Sequence, residues 1–380
     1  MKILLTGGGT GGHIIPLLTI VSEIKKMEEE KNLKKSEYLF IGPKSDFNNS
    51  ISDIGMKIKI IQAGKLRRYF SFENFTDIFK IVIGTIQSLY FIHKFKPTIV
   101  FSKGGFASVP PVVAAWLLKI PILTHESDTI PGLANRIIAK FSKKILVSFY
   151  FSKKYFPEKK VILTGNPIRE EILQGNKNSA RKFFNLNENI PTILVFGGSQ
   201  GAKKINSVIV KSLPKILEKF QIIHLCGKRN YEELKIKTEK MKLKNNSRYR
   251  IYPFLSNELK DAFALYDVII SRAGASSLFE IIALEKPSII IPLPSSANNH
   301  QAENAKFFQD RNMIINIKEK DFKKEIFTEK LFELFEENNL RKNMIEKMHE
   351  YNNFIGQKPV YNIIEEIFDF SDLNCNKKKK

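Results

Sequence analysis

Twice the chain runs a short apolar strand straight into glycines. Lys2-Ile-Leu-Leu-Thr leads into Gly7-Gly8-Gly9-Thr10-Gly11-Gly12-His13, and Thr192-Ile-Leu-Val-Phe leads into Gly197-Gly198-Ser199-Gln200-Gly201-Ala202. A helical pattern follows each loop. Glycines let the backbone turn with positive φ and approach an anion closely, and the next helix then points its free N–H groups at that anion. Such an opening belongs to a Rossmann-type unit. Its recurrence predicts an α/β chain of two Rossmann-like domains with parallel sheets facing across a cleft. A length of 380 residues suits two domains of roughly 190 residues each.

Other segments fit the alternation. Lys2–Thr6, Tyr38–Ile41, Thr98–Phe101, Ile122–Thr124 and Lys144–Val147 read as buried strands of the first domain, with helices over Leu17–Glu30 and Phe75–His93. Thr192–Phe196, Ile222–Leu225, Tyr249–Tyr252, Val268–Ile270 and Ser288–Ile291 read as strands of the second. The turn signal Gly165-Asn166-Pro167 places the boundary, giving domains over 1–165 and 166–349. The polar, basic end at 374–380 reads as disordered.

Two cysteines, Cys226 and Cys375, make neither a disulfide framework nor a cysteine-based zinc site. No stretch reaches the ~18 apolar residues of a membrane span, and the start is too short for a secretory leader. The sequence therefore predicts a cytoplasmic or membrane-peripheral protein. Sixty-one Lys+Arg against 39 Asp+Glu leave a net charge of +22, which favours anionic partners. The lysine excess accompanies much Ile, Asn and Phe, a pattern that codon usage alone also produces, so charge by itself assigns no partner.

The first loop satisfies G-x-G-x-x-G, but the dinucleotide fingerprint also needs a carboxylate at the end of the second strand. That strand ends Phe40-Ile41-Gly42-Pro43, which argues against a nicotinamide-dependent oxidoreductase. No Walker-type G-K-[ST] and no metal-ligand pattern occurs, so neither a metal nor another cofactor is expected. His13 stands at a helix start, where the dipole favours the neutral imidazole that a base requires; a capping or packing histidine is the alternative. Polar clusters follow three strands: His125-Glu126-Ser127-Asp128, Ser271-Arg272-Ala273-Gly274-Ala275-Ser276-Ser277 with Glu280, and Asn298-Asn299-His300-Gln301-Ala302-Glu303-Asn304. Open α/β sheets place ligands at such strand ends, and a carboxylate one turn into a helix can hold a ribose diol. Helix caps, surface clusters and a salt bridge for Glu280 remain alternatives. A non-enzymatic nucleic-acid binder would rest on charge alone, and these clusters argue against it.

Taken in order, seven motifs make a more specific pattern: Gly8-Gly9-Thr10-Gly11-Gly12-His13, Lys103-Gly104-Gly105-Phe106-Ala107-Ser108, His125-Glu126, Gly165-Asn166-Pro167-Ile168-Arg169, Gly197-Gly198-Ser199-Gln200-Gly201-Ala202, Ser271 through Glu280, and His300-Gln301-Ala302-Glu303-Asn304-Ala305. From residue 1 to about 350 the chain resembles the MurG family of peptidoglycan N-acetylglucosaminyltransferases, the GT-B enzymes of glycosyltransferase family 28. The resemblance implies a metal-independent, inverting transfer of GlcNAc from UDP-GlcNAc to lipid I, giving lipid II, with no nucleic acid involved. Another nucleotide-sugar transferase on the same fold is the alternative.

The resemblance also implies residue roles. Thr10, Gly11, Gly12, Arg169, Ser199, Gln200, Leu255, Ala275, Ser276, Ser277, Glu280 and Gln301 would bind the donor, with Leu255 beside uracil, Glu280 on the ribose and Gln301 on GlcNAc. His13 would be the base, with Glu126 its competitor or support. Gly9, Gly104 and Gly105 would meet the acceptor pyrophosphate. A C-terminal helix at about 350–370 would pack back on the first domain. Because the acceptor is lipid-linked, the protein would sit peripherally on the anionic cytoplasmic face of the bacterial inner membrane, through the basic and apolar segment from Lys65 to Lys96. Asp128 stands where the family has Asn; a carboxylate accepts but does not donate, and its charge opposes pyrophosphate. Phe106 stands where Tyr is common and His300 where Gln is often found.

Overall fold

A computed structural model describes residues 1–64, 72–198, 201–355 and 359–377, with backbone only at 72–75 and 371–377. The chain divides into two units, Met1–Ile168 with Lys358–Lys380, and Arg169–Gln357.

The first unit holds seven strands: β1 (Lys2–Thr6), β2 (Glu37–Gly42), β3 (Lys57–Ile60), β4 (Ile99–Ser102), β5 (Ile122–Glu126), β6 (Lys144–Val147) and β7 (Val161–Leu163). All pair in parallel, in the order β3-β2-β1-β4-β5-β6-β7. Helices α1 (Gly11–Glu30), α2 (Asn48–Asp53), α3 (Phe72–Phe95), α4 (Val109–Leu117) and α5 (Leu133–Phe141) make the crossovers. The central strands are buried on both faces, so their apolar residues run without alternation, as in Ile3-Leu4-Leu5.

The second unit repeats this plan. Strands β8 (Thr192–Phe196), β9 (Gln221–Leu225), β10 (Tyr249–Tyr252), β11 (Val268–Ser271), β12 (Ser288–Ile290) and β13 (Ile315–Asn316) pair in parallel as β10-β9-β8-β11-β12-β13. Its helices are α6 (Lys177–Phe184), α7 (Lys203–Ile216), α8 (Tyr231–Lys240), α9 (Leu259–Leu265), α10 (Ala275–Ala283), α11 (His300–Gln309), α12 (Lys324–Glu336) and α13 (Asn338–Ile355). In both sheets the order reverses beside the first strand, at β1/β4 and at β8/β11. This reversal is the topological switch point where open α/β sheets leave a crevice.

The last helix, α14 (Pro359–Lys377), returns to the first unit. Val360, Ile363, Ile364 and Ile367, at helical spacing, are buried in one core with Leu17, Ile20, Val21 and Ile24 of α1. Tyr361 Oη donates to Glu23 Oε1 at 2.6 Å, and Lys144 pairs with Glu366 at 2.5 Å. The returning helix thus begins at Pro359 rather than about 350, because residues 350–355 complete α13 in the second unit. It runs helically to Lys377, into the segment read as a disordered tail. Strands β3, β7 and β13 were not foreseen: all three lie at sheet edges, β3 carries two lysines, β7 has three residues and β13 two.

Helix α3 buries Ile92 and Phe95 near its end but turns an apolar face outward before them. Ile78, Phe79, Val82, Ile86 and Tyr90 are each more than half exposed, while Asp77, Gly84 and Ser88 are buried. Only Gly fits at 84, where a Cβ would lie 2.1 Å from the Gln62 carbonyl oxygen. Arg67 and Arg68, the basic start of the expected membrane segment, lie outside the described residues.

Candidate functional site

At the first switch point the loops after β1 and β4 are joined directly. The Gly8 amide donates to the Gly104 carbonyl at 2.9 Å. Gly104 and Gly105 both have φ +87, and a Cβ on Gly104 would lie 1.9 Å from Asn135 Oδ1. Helix α1 starts within the glycine run: Thr10 is its N-cap, so His13 is its third residue. The His13 ring lies on the glycines, close enough that a Cβ on Gly8 would stand 2.8 Å from Nδ1 and one on Gly105 3.3 Å from Nε2. Thr10 Oγ1 is 2.9 Å from His13 Nδ1. In the tautomer that donates Nδ1–H to Thr10, Nε2 keeps its lone pair beside Gly105, as a general base requires.

Under this surface lies a buried polar shelf. Glu126 ends β5 and accepts hydrogen bonds from Asn135 Nδ2 at 2.7 Å and from the Asp128 amide at 2.9 Å. Asn135 Oδ1 in turn accepts from the Gly105 amide at 3.3 Å. Burial, and next the Asp128 charge, push the Glu126 carboxyl up to about 7. Lys103 is also buried; burial lowers its ammonium to about 8, against the pull of Glu126 and Asp128. Its Nζ is 2.9 Å from His125 Nδ1 and also donates to Ser127 Oγ. His125 Nε2 donates to the Gly165 carbonyl at 3.0 Å. Burial, then the Lys103 charge, hold His125 well below its ordinary pKa, so it is neutral.

In the second unit, the glycine loop after β8 rests on neutral groups. Gly198 and Gly201 have φ +83 and +73, and a Cβ on Gly201 would lie 2.2 Å from the Cys226 carbonyl oxygen. Beneath that loop, Asn206 Nδ2 and Asn230 Nδ2 each donate to Cys226 O at 2.9 Å. His224, fully buried, lies between Tyr249 Oη at 2.8 Å and Asn206 Oδ1 at 3.0 Å. Burial lowers His224 to about 3, so it too is neutral.

Gly274 is the N-cap of α10, and the space a Cβ would fill there is open. The first turn of α10 is Ala275-Ser276-Ser277, whose amides have no partner within the helix. Glu280, one turn on and 5% exposed, accepts from Arg169 Nε at 2.9 Å. Burial opposes the Arg169 charge, but Glu280 outweighs it and raises the guanidinium pKa. Gln301 Oε1 accepts from the Leu293 amide at 2.9 Å, which fixes the orientation of the side-chain amide. Leu255 is buried beside exposed Phe254, over whose ring Lys228 Nζ stands at 4.9 Å.

The residues expected from sequence thus fall into two groups. Gly9, Thr10, Gly11, Gly12, His13, Gly104, Gly105, Glu126 and Asp128 lie around the first switch point. Arg169, Leu255, Ala275, Ser276, Ser277, Glu280 and Gln301 lie in the second unit, with Arg169 and Glu280 in contact. Ser199 and Gln200 lie outside the described residues. Asn135, which bridges Gly105 and Glu126, was missed; its signal was an amide in the first turn of a helix after Pro131-Gly132. Arg272 serves its own loop, donating to the Ile291 and Pro292 carbonyls and pairing with Glu319. Among the described residues no His, Cys, Asp or Glu group could hold a metal, and no helix is long and apolar enough to cross a membrane.

Comparison with known proteins identifies the family and the fold. Residues 3–147 match the glycosyltransferase family 28 N-terminal domain and residues 192–367 the glycosyltransferase family 28 C-terminal domain. A UDP-N-acetylglucosamine--N-acetylmuramyl-(pentapeptide) pyrophosphoryl-undecaprenol N-acetylglucosamine transferase of Clostridium tetani is 38% identical, covering 97% of this chain and 98% of its own. An enzyme of the same name from Clostridium perfringens is 42% identical over 88% of this chain and 90% of its own. The fold is shared with the crystal structure of Acinetobacter baumannii MurG, at TM-score 0.69 and 24% identity over 92% of this chain and 94% of that one. It is also shared with a UDP-GlcNAc 2-epimerase from Neisseria meningitidis, at TM-score 0.67 and 16% identity over 97% of this chain and 100% of that one. With both family domains present and near full-length relatives this similar, the chain belongs to glycosyltransferase family 28, the family of the MurG-type enzymes.

Proposed function

We propose that the chain transfers GlcNAc from UDP-GlcNAc to the 4-hydroxyl of the muramoyl sugar of lipid I, giving lipid II and UDP in peptidoglycan synthesis. The observation that carries the chemistry is the Gly8–Gly104 bridge, which seats His13 on the glycines of the first switch point. His13 Nε2 takes the proton of the acceptor hydroxyl as its oxygen attacks C1 of GlcNAc. The bond from C1 to the UDP oxygen breaks, with inversion. Glu126 supports this site rather than competing for the proton: both of its oxygens are held within its own unit, one by the Asp128 amide and the other by Asn135 Nδ2. Gly9, Gly104 and Gly105 are proposed to meet the acceptor pyrophosphate.

Donor binding falls to the second unit. The α10 N-terminus and the second glycine loop, with Ser199 and Gln200, take the charge of the leaving pyrophosphate. Glu280, held by Arg169, accepts from the ribose hydroxyls, and Gln301 holds the sugar. Transfer of labelled GlcNAc to lipid I, run in EDTA, tests this function and the proposed independence from metal and other cofactors. Product in EDTA supports both. No product, with a family member active in parallel, removes lipid I as the acceptor. An oxidoreductase is not favoured, because β2 ends at Gly42 without a ribose-binding carboxylate.

Peripheral binding at the cytoplasmic face of the inner membrane belongs to the same proposal. The exposed apolar face of α3 is one support, and exposed Trp116, Leu117 and Leu118 at the end of α4 are another. Trp116 meets the Phe141 ring edge-on at 5.3 Å, near exposed Lys119, Lys140 and Lys143. Apolar rings amid lysines suit an anionic headgroup layer, each cation adding about 1 kcal/mol. Phosphatidylglycerol vesicles should bind the protein, less so in high salt or after Val82→Glu with Ile86→Glu. Equal binding by that variant rejects this face.

A further inference from the structure

In the first unit, the segment after β6 and the start of α5 bring three cations and three rings together. Tyr150 and Phe151 are 61% and 52% exposed, with ring centroids 6.4 Å apart. Lys153 Nζ stands 4.6 Å from the centre of the Tyr150 ring. The Tyr155 ring holds two cations, Lys154 Nζ at 5.2 Å and the Arg136 guanidinium carbon at 4.9 Å. Among the described residues no carboxylate pairs with Arg136, Lys153 or Lys154. Like charges held on one ring without a counter-ion repel each other and attract an anion.

The cluster stands at the ligand end of the sheet. Tyr150 follows the carboxyl end of β6, and Arg136 follows Asn135, which holds Gly105 and Glu126. Along the order β1-β4-β5-β6, three strand spacings separate the loop of His13 from that of Tyr150, roughly 14 Å. A muramoyl sugar carries its peptide on the lactyl group at C3, beside the reacting 4-hydroxyl. Five extended residues reach roughly 17 Å. With its 4-hydroxyl at His13 Nε2, the acceptor can lay its peptide along the strand ends and bring the terminal carboxylate to these cations. The apolar patch at Trp116 lies at the other end: it closes α4 just before β5 begins, at the amino ends of the strands.

We propose that Arg136, Lys153 and Lys154, presented on the rings of Tyr150 and Tyr155, form a subsite for the carboxylates of the acceptor peptide. This role rests on lipid I as the acceptor and His13 as its base. It makes the three cations determinants of acceptor choice, with no part in proton transfer. Two water-soluble, short-chain forms of lipid I test it, one with its native peptide and one with every peptide carboxyl amidated. For the wild-type full chain, amidation should raise the acceptor KM about tenfold. Arg136→Gln with Lys153→Gln and Lys154→Gln should raise the KM of the native form about tenfold and abolish the preference between the two forms. A variant that keeps the wild-type preference overturns the inference. If the triple variant does not fold, Lys154→Gln, at an exposed position, should at least halve the preference, and an undiminished one overturns the inference instead. Cations that serve a lipid surface would lower binding to phosphatidylglycerol vesicles and leave the KM of both soluble acceptors unchanged, which also overturns it. No transfer to the native form by the wild type would refute lipid I as the acceptor, and the inference with it. Wild-type transfer to both forms with equal KM refutes the inference alone.

Discussion

The two switch points share strand order, glycine loop and helix start, yet differ in what lies beneath them. Under the first loop are Lys103 and Glu126, both ionisable near neutrality, with His125 neutral between cation and carbonyl. Under the second are His224, Asn206, Asn230 and Tyr249, all neutral and bonded to one another or to the Cys226 carbonyl. A phosphate held by backbone amides needs a rigid loop, which neutral hydrogen bonds supply without desolvated charge. A site that moves a proton needs groups that titrate near working pH. Under the proposed function, donor binding falls to one unit and proton transfer to the other, and the two loops rest on correspondingly different residues.

The widest gap between the two should come from the histidines. His13→Ala is expected to lower kcat by roughly 10²–10⁴, with UDP affinity unchanged, in single-turnover assays with saturating donor. A loss below tenfold would take the base out of the first unit's glycine surface. Glu280→Ala should come next, with the opposite signature. Removing a carboxylate from a buried ion pair should raise the UDP-GlcNAc KM by roughly 10–100-fold, most of kcat surviving at saturating donor. Equal loss of kcat there would give the second unit a chemical role and end the division.

His224→Phe sharpens the contrast from the structural side. It leaves the Tyr249 hydroxyl and Asn206 Oδ1 without their partner, an expected cost of roughly 2–4 kcal/mol seen as a lowered melting temperature. Because His224 is already neutral, turnover per folded molecule should keep its pH profile. A tenfold fall in kcat with an unshifted melting temperature would make this histidine more than a strut.

How much of this was legible follows from what each residue depends on. Contiguous apolar runs such as Thr192–Phe196 disclose central strands because both faces are covered. Lys57–Ile60 does not, because an edge strand exposes one side and carries lysines. The glycine loops and His13 were readable because sequence neighbours build them, although α1 takes in Gly11 and Gly12 instead of starting after them. Arg169 and Glu280 were each expected at the donor, yet their mutual ion pair joins residues far apart in sequence. Lys103 and Asn135 have roles only through tertiary contacts with Ser127, His125, Gly105 and Glu126. No local pattern announces such contacts.

The smallest expected effect tests the charged shelf itself, through stability against pH. The folded Glu126 carboxyl sits at about 7, above its ordinary 4.5, so between these values the folded state binds more proton than the unfolded one. Stability contributed by the protonated carboxyl is therefore complete below about 4.5 and is lost as pH rises through 7. Glu126→Gln cannot titrate. Its amide also meets the Asp128 amide and Asn135 Nδ2, two donors, so one contact is spoiled at every pH. That constant cost cancels when the variant is compared with itself at two pH values. Melting temperatures of both proteins at pH 5 and pH 8 isolate what remains. Variant minus wild type should be more positive at pH 8, where the wild type holds an ionised carboxylate out of water. A difference that is flat, or reversed, would mean Lys103 fully compensates that charge, leaving the first shelf as inert to pH as the second.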